Sequence, residues 1–347
     1  MKKQEIFWKN INGLYLKVNI VKKNILGNRI NWIITGGIFM RIAYMLYTPL
    51  AVRSHDLREL SVDSNGHAAY LLNLIEGHLP YTNNFQFYQQ PFYYLLSAEL
   101  AKLLKACIPQ VSIYQVVGVS KIVSCLASCL ILILVMKLGE VVKLKSTGME
   151  ILMLYVAFTP VFYLRGGSVG PDMLATFFIT AEFLWTLYWK ESPNWKNTFI
   201  LAISYGLGVM TKISCAIVAV YTVIVFIKRL RKSSSKKETV DLLKKYICFG
   251  IVSLPLGLWY SARNYIKFRQ PLSYVPDIGR QSELYTGDRS FAERFIYIDL
   301  KNLIRSPFCV VEDDYNAPAY FIKSSLFGEF TFGLPLWIPR LLLYCAI

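Results

Sequence analysis

Within 24 residues of this 347-residue chain lie His55, Asp56, Asp63, His67, Glu76 and His78, which include all three histidines of the protein. They fall in a polar segment, Arg53 to Gln90, lodged between two strongly apolar ones. Carboxylates and imidazoles are the groups that exchange protons in acid–base catalysis. Asp56 stands just beyond an apolar block that ends near Arg53, at the level where a base would act on a reactive group carried by a lipid. A plainer role is open to it as the N-cap of a helix starting at Leu57. The histidines with Asp56 and Asp63 also invite a metal, but they form no HExxH pair or other fixed zinc spacing. No metal ligands and no cofactor are assigned, and a divalent metal remains compatible with the acidic loop.

Three more groups recur at the ends of apolar runs. Asp172 follows a glycine-rich turn in RGGSVGPDMLATFF, where Pro-Asp is equally a good helix start. Lys212 interrupts the run Asn197 to Ile227, and Arg263 closes another. Either cation could neutralise a phosphate or simply snorkel to an interface. The aromatic residues from Tyr81 to Tyr94, Tyr88 among them, could stack on sugar faces or form an interfacial belt.

Composition dictates what must position these groups. The chain is 54% hydrophobic and 17% charged, with mean hydropathy +0.39, and its apolar residues come in long blocks. One soluble core of ordinary size cannot hide them, so the fold class expected is all-α, a polytopic transmembrane protein with juxtamembrane helices in large extracytoplasmic loops. The blocks read as spans are Ile30 to Val52, Tyr114 to Lys137, Met149 to Arg165, Met173 to Trp189, Asn197 to Thr211, Ile213 to Ile227 and Tyr246 to Ala262. The organisation is then a basic N-terminus (1–29), a membrane domain (30–262) with a first outer loop at 53–113, a second large outer loop (263–332), and the start of a further, incomplete transmembrane helix (333–347).

Basic loops stay in the cytoplasm. Residues 1–29 carry seven lysines and arginines against Glu5, and Lys228 to Lys245 carries eight against Glu238 and Asp241. The segment Arg263 to Thr331 balances nine against nine and can lie outside. The net charge of +16 is therefore a topology signal beside anionic lipid, and a nucleic-acid partner is not expected. Pro91 to Ile108 is nearly apolar enough to span, yet Glu99, Lys102 and Lys105 recur at helical spacing. Laid in the outer interface as an amphipathic helix, it keeps every basic loop inside. The run Asn197 to Ile227 would make a straight helix of about 46 Å, too long for a bilayer core of about 30 Å, so Lys212 is placed at an outer turn between two short helices. The seven cysteines form no CxxC pair and read as small buried side chains.

The ordered motifs HDLREL, SNGHAAYLLNLIEGHLP, QFYQQPFYYLLSAELAKLL, GSVGPDMLATFF, GLGVMTKIS and LGLWYSARNYIKFRQPLSYVP resemble the multispanning glycosyltransferases of the C superfamily. The likeness is to the branch of protein O-mannosyltransferase-like and aminoarabinose-transferase-like proteins, and it runs from about Arg41 to Glu329. It implies a membrane enzyme of the cytoplasmic membrane that passes a sugar from a polyprenyl-phosphate donor to an acceptor glycan, lipid or protein on the extracytoplasmic face, usually with inversion. The acidic residue of the first outer loop maps onto Asp56, with Asp63 competing, and the second-loop carboxylate maps onto Asp172. Lys212, Arg263 and Arg53 then form the donor-phosphate set, and His55, His67, Tyr88, Gln90 and Glu329 the acceptor or sugar set. Where such proteins show paired prolines after a His or Lys, this chain reads Gln89-Gln90-Pro91-Phe92. The rival class is a transporter or flippase for a lipid-linked glycan, which would show internal repeats and ionisable groups near the midplane.

Overall fold

A run of apolar residues that must satisfy its own backbone polar groups folds as a helix, and capping residues set where each one begins. In a computed structural model, which describes residues 29–50, 66–271, 280, 285, 287–309, 314–328 and 331–346, every regular element is a helix. The first is α1 (Arg29–Tyr47). Across the polar loop follow α2 (His67–Ile75), a 3-10 turn (Phe85–Tyr88), α3 (Phe92–Cys107) and α4 (Ile113–Gly118). The central bundle comprises α5 (Ser120–Val141), α6 (Ser146–Phe158), α7 (Pro160–Gly166), α8 (Asp172–Glu191), α9 (Trp195–Thr211), a 3-10 segment (Ile213–Val218), α10 (Ala219–Arg231) and α11 (Lys236–Phe268). Short helices α12 (Phe291–Phe295), α13 (Leu300–Arg305), α14 (Ala317–Phe327) and α15 (Trp337–Ala346) complete the described chain.

Four helical stretches are long and apolar enough to cross a bilayer: α1, α4 continued into α5, the 3-10 segment with α10, and α11. The bent pair α6 and α7 makes a fifth if counted as one. Their outer faces carry bare apolar side chains, with Trp32, Phe39, Leu46, Ile217 and Ile251 all strongly exposed, as a lipid-facing surface requires and an aqueous one penalises. Two of the blocks read as spans fall short of that measure in isolation. α9 has only 17 residues and α8 carries Glu182. Both are sheathed by other helices, α8 by α5 and α9, and α9 by α8 and α11, so they meet protein where the outer helices meet solvent or lipid.

The block Met149 to Arg165 is not one straight helix, because the chain bends by 41° between α6 and α7. Pro160 lacks an N–H and its ring displaces the preceding turn, which frees the carbonyls of Val156 and Ala157. Arg41 of α1, fully buried, supplies the missing donors: Nη2 to Val156 O at 2.7 Å and Nη1 to Ala157 O at 2.8 Å. Its Nε donates to Ser128 Oγ at 2.8 Å, and that hydroxyl donates in turn to Phe162 O. The α1 terminus is closed similarly, with Lys121 Nζ donating to Met45 O and Thr48 O at 2.7 and 2.6 Å.

Small residues set the tightest crossing. A Cβ on Gly257 of α11 would lie 2.9 Å from Val209 Cβ, and one on Gly206 of α9 would lie 2.6 Å from Leu256 Cδ2, so these glycines let the two backbones approach. α11 itself runs well beyond the apolar block Tyr246 to Ala262. Ser235 caps it, accepting from Glu238 N, and lysine and glutamate are good helix formers, so the basic segment joins the helix. At its other end the helix takes in Arg263 and stops at Phe268, where Arg269 is left-handed at φ 57.

The elements after α11 pack around Leu303, Phe308, Leu326 and Phe327. Asn316 ties them together. Its Oδ1 accepts from Ala319 N and Asp299 N, and its Nδ2 donates to Glu293 O and Tyr297 O.

Candidate functional site

The glycine-rich turn GGSVG between α7 and α8 brings Arg165, in the last turn of α7, beside Asp172, in the first turn of α8. Acid at a helix start and base at a helix end both suit the helix dipole. From forty residues away, Lys212 reaches the same carboxylate because α9 stops at Thr211 and Lys212 itself is extended, with φ −156 and ψ 130. Lys212 Nζ lies 2.6 Å from Asp172 Oδ1, and Arg165 Nη1 lies 3.5 Å from Oδ2. Two cations thus share one carboxylate. Burial pulls the Lys212 ammonium down, but the Asp172 charge and its hydrogen bond outweigh burial and leave the lysine above its ordinary value. Tyr88, at the end of the 3-10 turn, is close enough to act electrostatically on Lys212.

A second group of polar contacts holds the loop around this cluster. His67, at the start of α2, places Nδ1 2.6 Å from Tyr94 OH, and its Nε2 faces the turn at Gly170. Tyr94 stacks on Tyr70 with centroids 4.0 Å apart. Tyr93 OH accepts from Gly170 N at 3.0 Å and donates to Ser120 O, joining α3 to the turn before Asp172. Tyr70, Tyr93 and Tyr94 are all fully buried. They therefore serve as internal hydrogen-bonding struts, while Tyr81 and Phe85 are the aromatic residues of this segment left most exposed.

Gln90 is buried and donates from Nε2 to Ser261 Oγ of α11 at 2.6 Å, while Tyr260 OH donates to Phe87 O at 2.8 Å. Gln90 Oε1 and Asn264 Nδ2 are buried without a hydrogen-bond partner among the described residues. Arg263 turns toward the same loop. Its guanidinium bonds Pro80 O and Asn264 Oδ1 and lies over the rings of Tyr260 and Phe268, so it braces the loop and is not among the cations ion-paired with Asp172.

Of the residues singled out from sequence, the structure pairs Asp172 with Lys212, with Tyr88 near enough to act on the lysine, sets His67 against the Gly170 turn, and holds Gln90 and Arg263 where α11 meets the 80–90 loop. Arg53, His55, Asp56, Asp63 and Glu329 lie outside the described residues. Two residues went unweighed. Arg165 is visible in the sequence as the basic residue ending an apolar run before GG. Glu182 is visible as a single acid inside the run Met173 to Trp189.

Among the described residues no three of His, Cys, Asp and Glu gather as metal ligands. An apolar recess of about 300 Å³ between α10 and α11, lined by Thr222, Phe226, Leu230 and Tyr246 among others, offers no charged group for a sugar or phosphate and lies apart from Asp172.

No protein-family model matches this chain, and no curated protein matches it either. The functional reading therefore rests on the chain's own residues and on the order of their motifs.

Proposed function

We propose that this chain is an integral membrane glycosyltransferase that moves a sugar from a polyprenyl-phosphate donor to an acceptor on the extracytoplasmic face. The observation that carries the reading is the Lys212–Asp172–Arg165 cluster, in which a lysine and an arginine meet one carboxylate where three helix ends converge. Attack on an anomeric carbon requires an acceptor hydroxyl relieved of its proton, and the lipid phosphate departs already charged. Such a reaction needs one base and a set of cations, whereas hydrolysis of an unactivated glycoside needs two carboxylates. Lys212 and Arg165 suit the phosphate, and Asp172 holds them in register until the donor enters. Asp56 is the proposed base, with Asp63 as its competitor. No step is assigned to a metal.

The same proposal includes the topology. The helices would cross in alternation, with the N-terminus and the segment 228–245 cytoplasmic, and with Asp172, Lys212 and the loop 66–90 outside. α3 would lie in the outer interface, its Glu99–Lys102 pair at 2.8 Å facing water. Cysteines introduced at Leu100 and Lys143 should then react from opposite sides of sealed vesicles.

Transfer from a labelled polyprenyl-phosphate sugar by the purified chain in nanodiscs tests the activity. Wild type should form product, and Asp56→Asn, Asp172→Asn and Lys212→Met should each lose most of it. Full activity in all three variants would remove the assignment. The buried Glu182 favours one other reading, a transporter or flippase of a lipid-linked glycan, because such proteins keep ionisable groups in the bundle interior. Movement of the donor across a vesicle without product would select it.

A further inference from the structure

Glu182 stands ten residues along α8 from Asp172, about 15 Å into the bundle at the helical rise. It is fully buried, and among the described residues neither carboxyl oxygen has a hydrogen-bond partner. The space it occupies is provided by a glycine on the facing helix: a Cβ on Gly208 of α9 would collide with Glu182 Oε1, with Phe178 Cβ and Cys215 Cβ closing in at 3.0 and 3.3 Å. The titratable groups facing it are Tyr205 on α9 and Cys215 on the 3-10 segment. Tyr205 OH is engaged with Thr222 Oγ1 at 2.6 Å, and Thr222 with Thr186 at 2.7 Å. Cys215 Sγ is directed to Ala175 O, and Lys212, the nearest cation along α9, is committed to Asp172. No neighbouring charge from α5, α9 or α10 bears appreciably on the carboxyl.

An ionised carboxylate in such surroundings forfeits its hydration with nothing in return, and such a group neutralises instead. We propose that Glu182 is a proton-binding site within the helix bundle, carrying its proton while α8 and α9 are closed and open to modification by membrane-soluble carbodiimides. The proton leaves only when water or a cation reaches the seam at Gly208. Glu182 is then a reporter of separation between the two helices whose ends hold Asp172 and Lys212. None of this depends on what substrate the polar end accepts.

The modification balances without a further reactant. The carboxyl O–H adds across one C=N bond of the carbodiimide, oxygen bonding to the central carbon and the proton passing to nitrogen. The O-acylisourea so formed rearranges to a stable N-acylurea of the same mass. Two measurements on the full chain in lipid nanodiscs at neutral pH test the proposal. Infrared spectra of wild type minus E182Q should show loss of a neutral carboxyl carbonyl band, and loss of an ionised carboxylate band instead would overturn it. Dicyclohexylcarbodiimide should label the Glu182 peptide at least about tenfold more in wild type than in E182Q, as expected of an acid in an apolar interior. Labelling that survives E182Q unchanged would also overturn it. E182D, which keeps a carboxyl at the site, should retain both the band and the adduct and so separates loss of the proton from loss of the fold.

Discussion

Lys212 donates to Asp172 at 2.6 Å across forty positions of sequence, joining the end of α9 to the start of α8. Because the ammonium is held above its ordinary value of 10.5, the sign of its pH dependence is fixed. The stabilisation is complete below the unfolded lysine value and is lost as pH rises through the raised folded one. Thermal midpoints of wild type and Lys212→Met should therefore differ by a constant amount from neutral pH to about pH 10 and converge above it. Both side chains are partly open to the surroundings, so the difference should stay below about 1 kcal/mol. A gap that widened above pH 11 would refute the assignment.

Arg41 is the donor for the carbonyls that Pro160 releases. Its replacement by methionine should cost about 2–4 kcal/mol, since buried carbonyls on Val156 and Ala157 lose their partners. Lysine should rescue little of this, because one ammonium cannot span the planar fork from Ser128 to Val156. Unfolding of the two variants in mild detergent measures it, and a lysine variant as stable as wild type would be inconsistent with the geometry.

Gly257 and Gly148 form a matched pair. Alanine at 257 would press on Val209 Cβ at 2.9 Å and on Gly206 O at 3.3 Å, atoms that cannot yield without moving a backbone, so a loss of about 1–3 kcal/mol is expected. Alanine at 148, in α6, meets nothing within 4 Å and should be neutral or stabilising by up to about 1 kcal/mol. Equal stability of the two variants would show that α9 and α11 are not in close contact.

Asn316 carries four hydrogen bonds in the segment after α11. Asn316→Asp keeps the cap but loses both donations from Nδ2, whereas Asn316→Ala loses all four. Alanine should accelerate proteolysis between residues 290 and 327 and cost at least about 1–2 kcal/mol, with aspartate between it and wild type.

Much of the helical layout could be read from hydropathy alone, because blocks such as Tyr114 to Lys137 have no other way to satisfy their backbones. The interruption at Lys212 was equally readable, since an uninterrupted helix would overrun a bilayer. The far limits of α11 were not, because Lys236 to Lys245 looks like loop to a hydropathy window although its propensity and the Ser235 cap favour helix. The site was legible by residue type only in part. Asp172 and Lys212 each stood out as charges at the edge of an apolar run, but nothing local says that Arg165 joins them or that Gln90 meets Ser261. Those pairings are created by helix crossings. Glu182 shows in the sequence as a lone acid in an apolar run, but its isolation depends on Gly208 and Cys215, which approach it only in three dimensions.

The bonds from Gln90 to Ser261 and from Tyr260 to Phe87 have a mechanical corollary. α11 is 33 residues long, about 50 Å at the helical rise, and both bonds grip it near one tip. Pro255 leaves Ile251 O without its helical donor, which is where such a rod yields. The gripped residues, Tyr260 and Ser261, stand five and six positions beyond that proline. Movement of the 85–90 turn is therefore taken up at Pro255, and the lysine-rich arm that begins at Lys236 keeps its place while the other arm follows the loop.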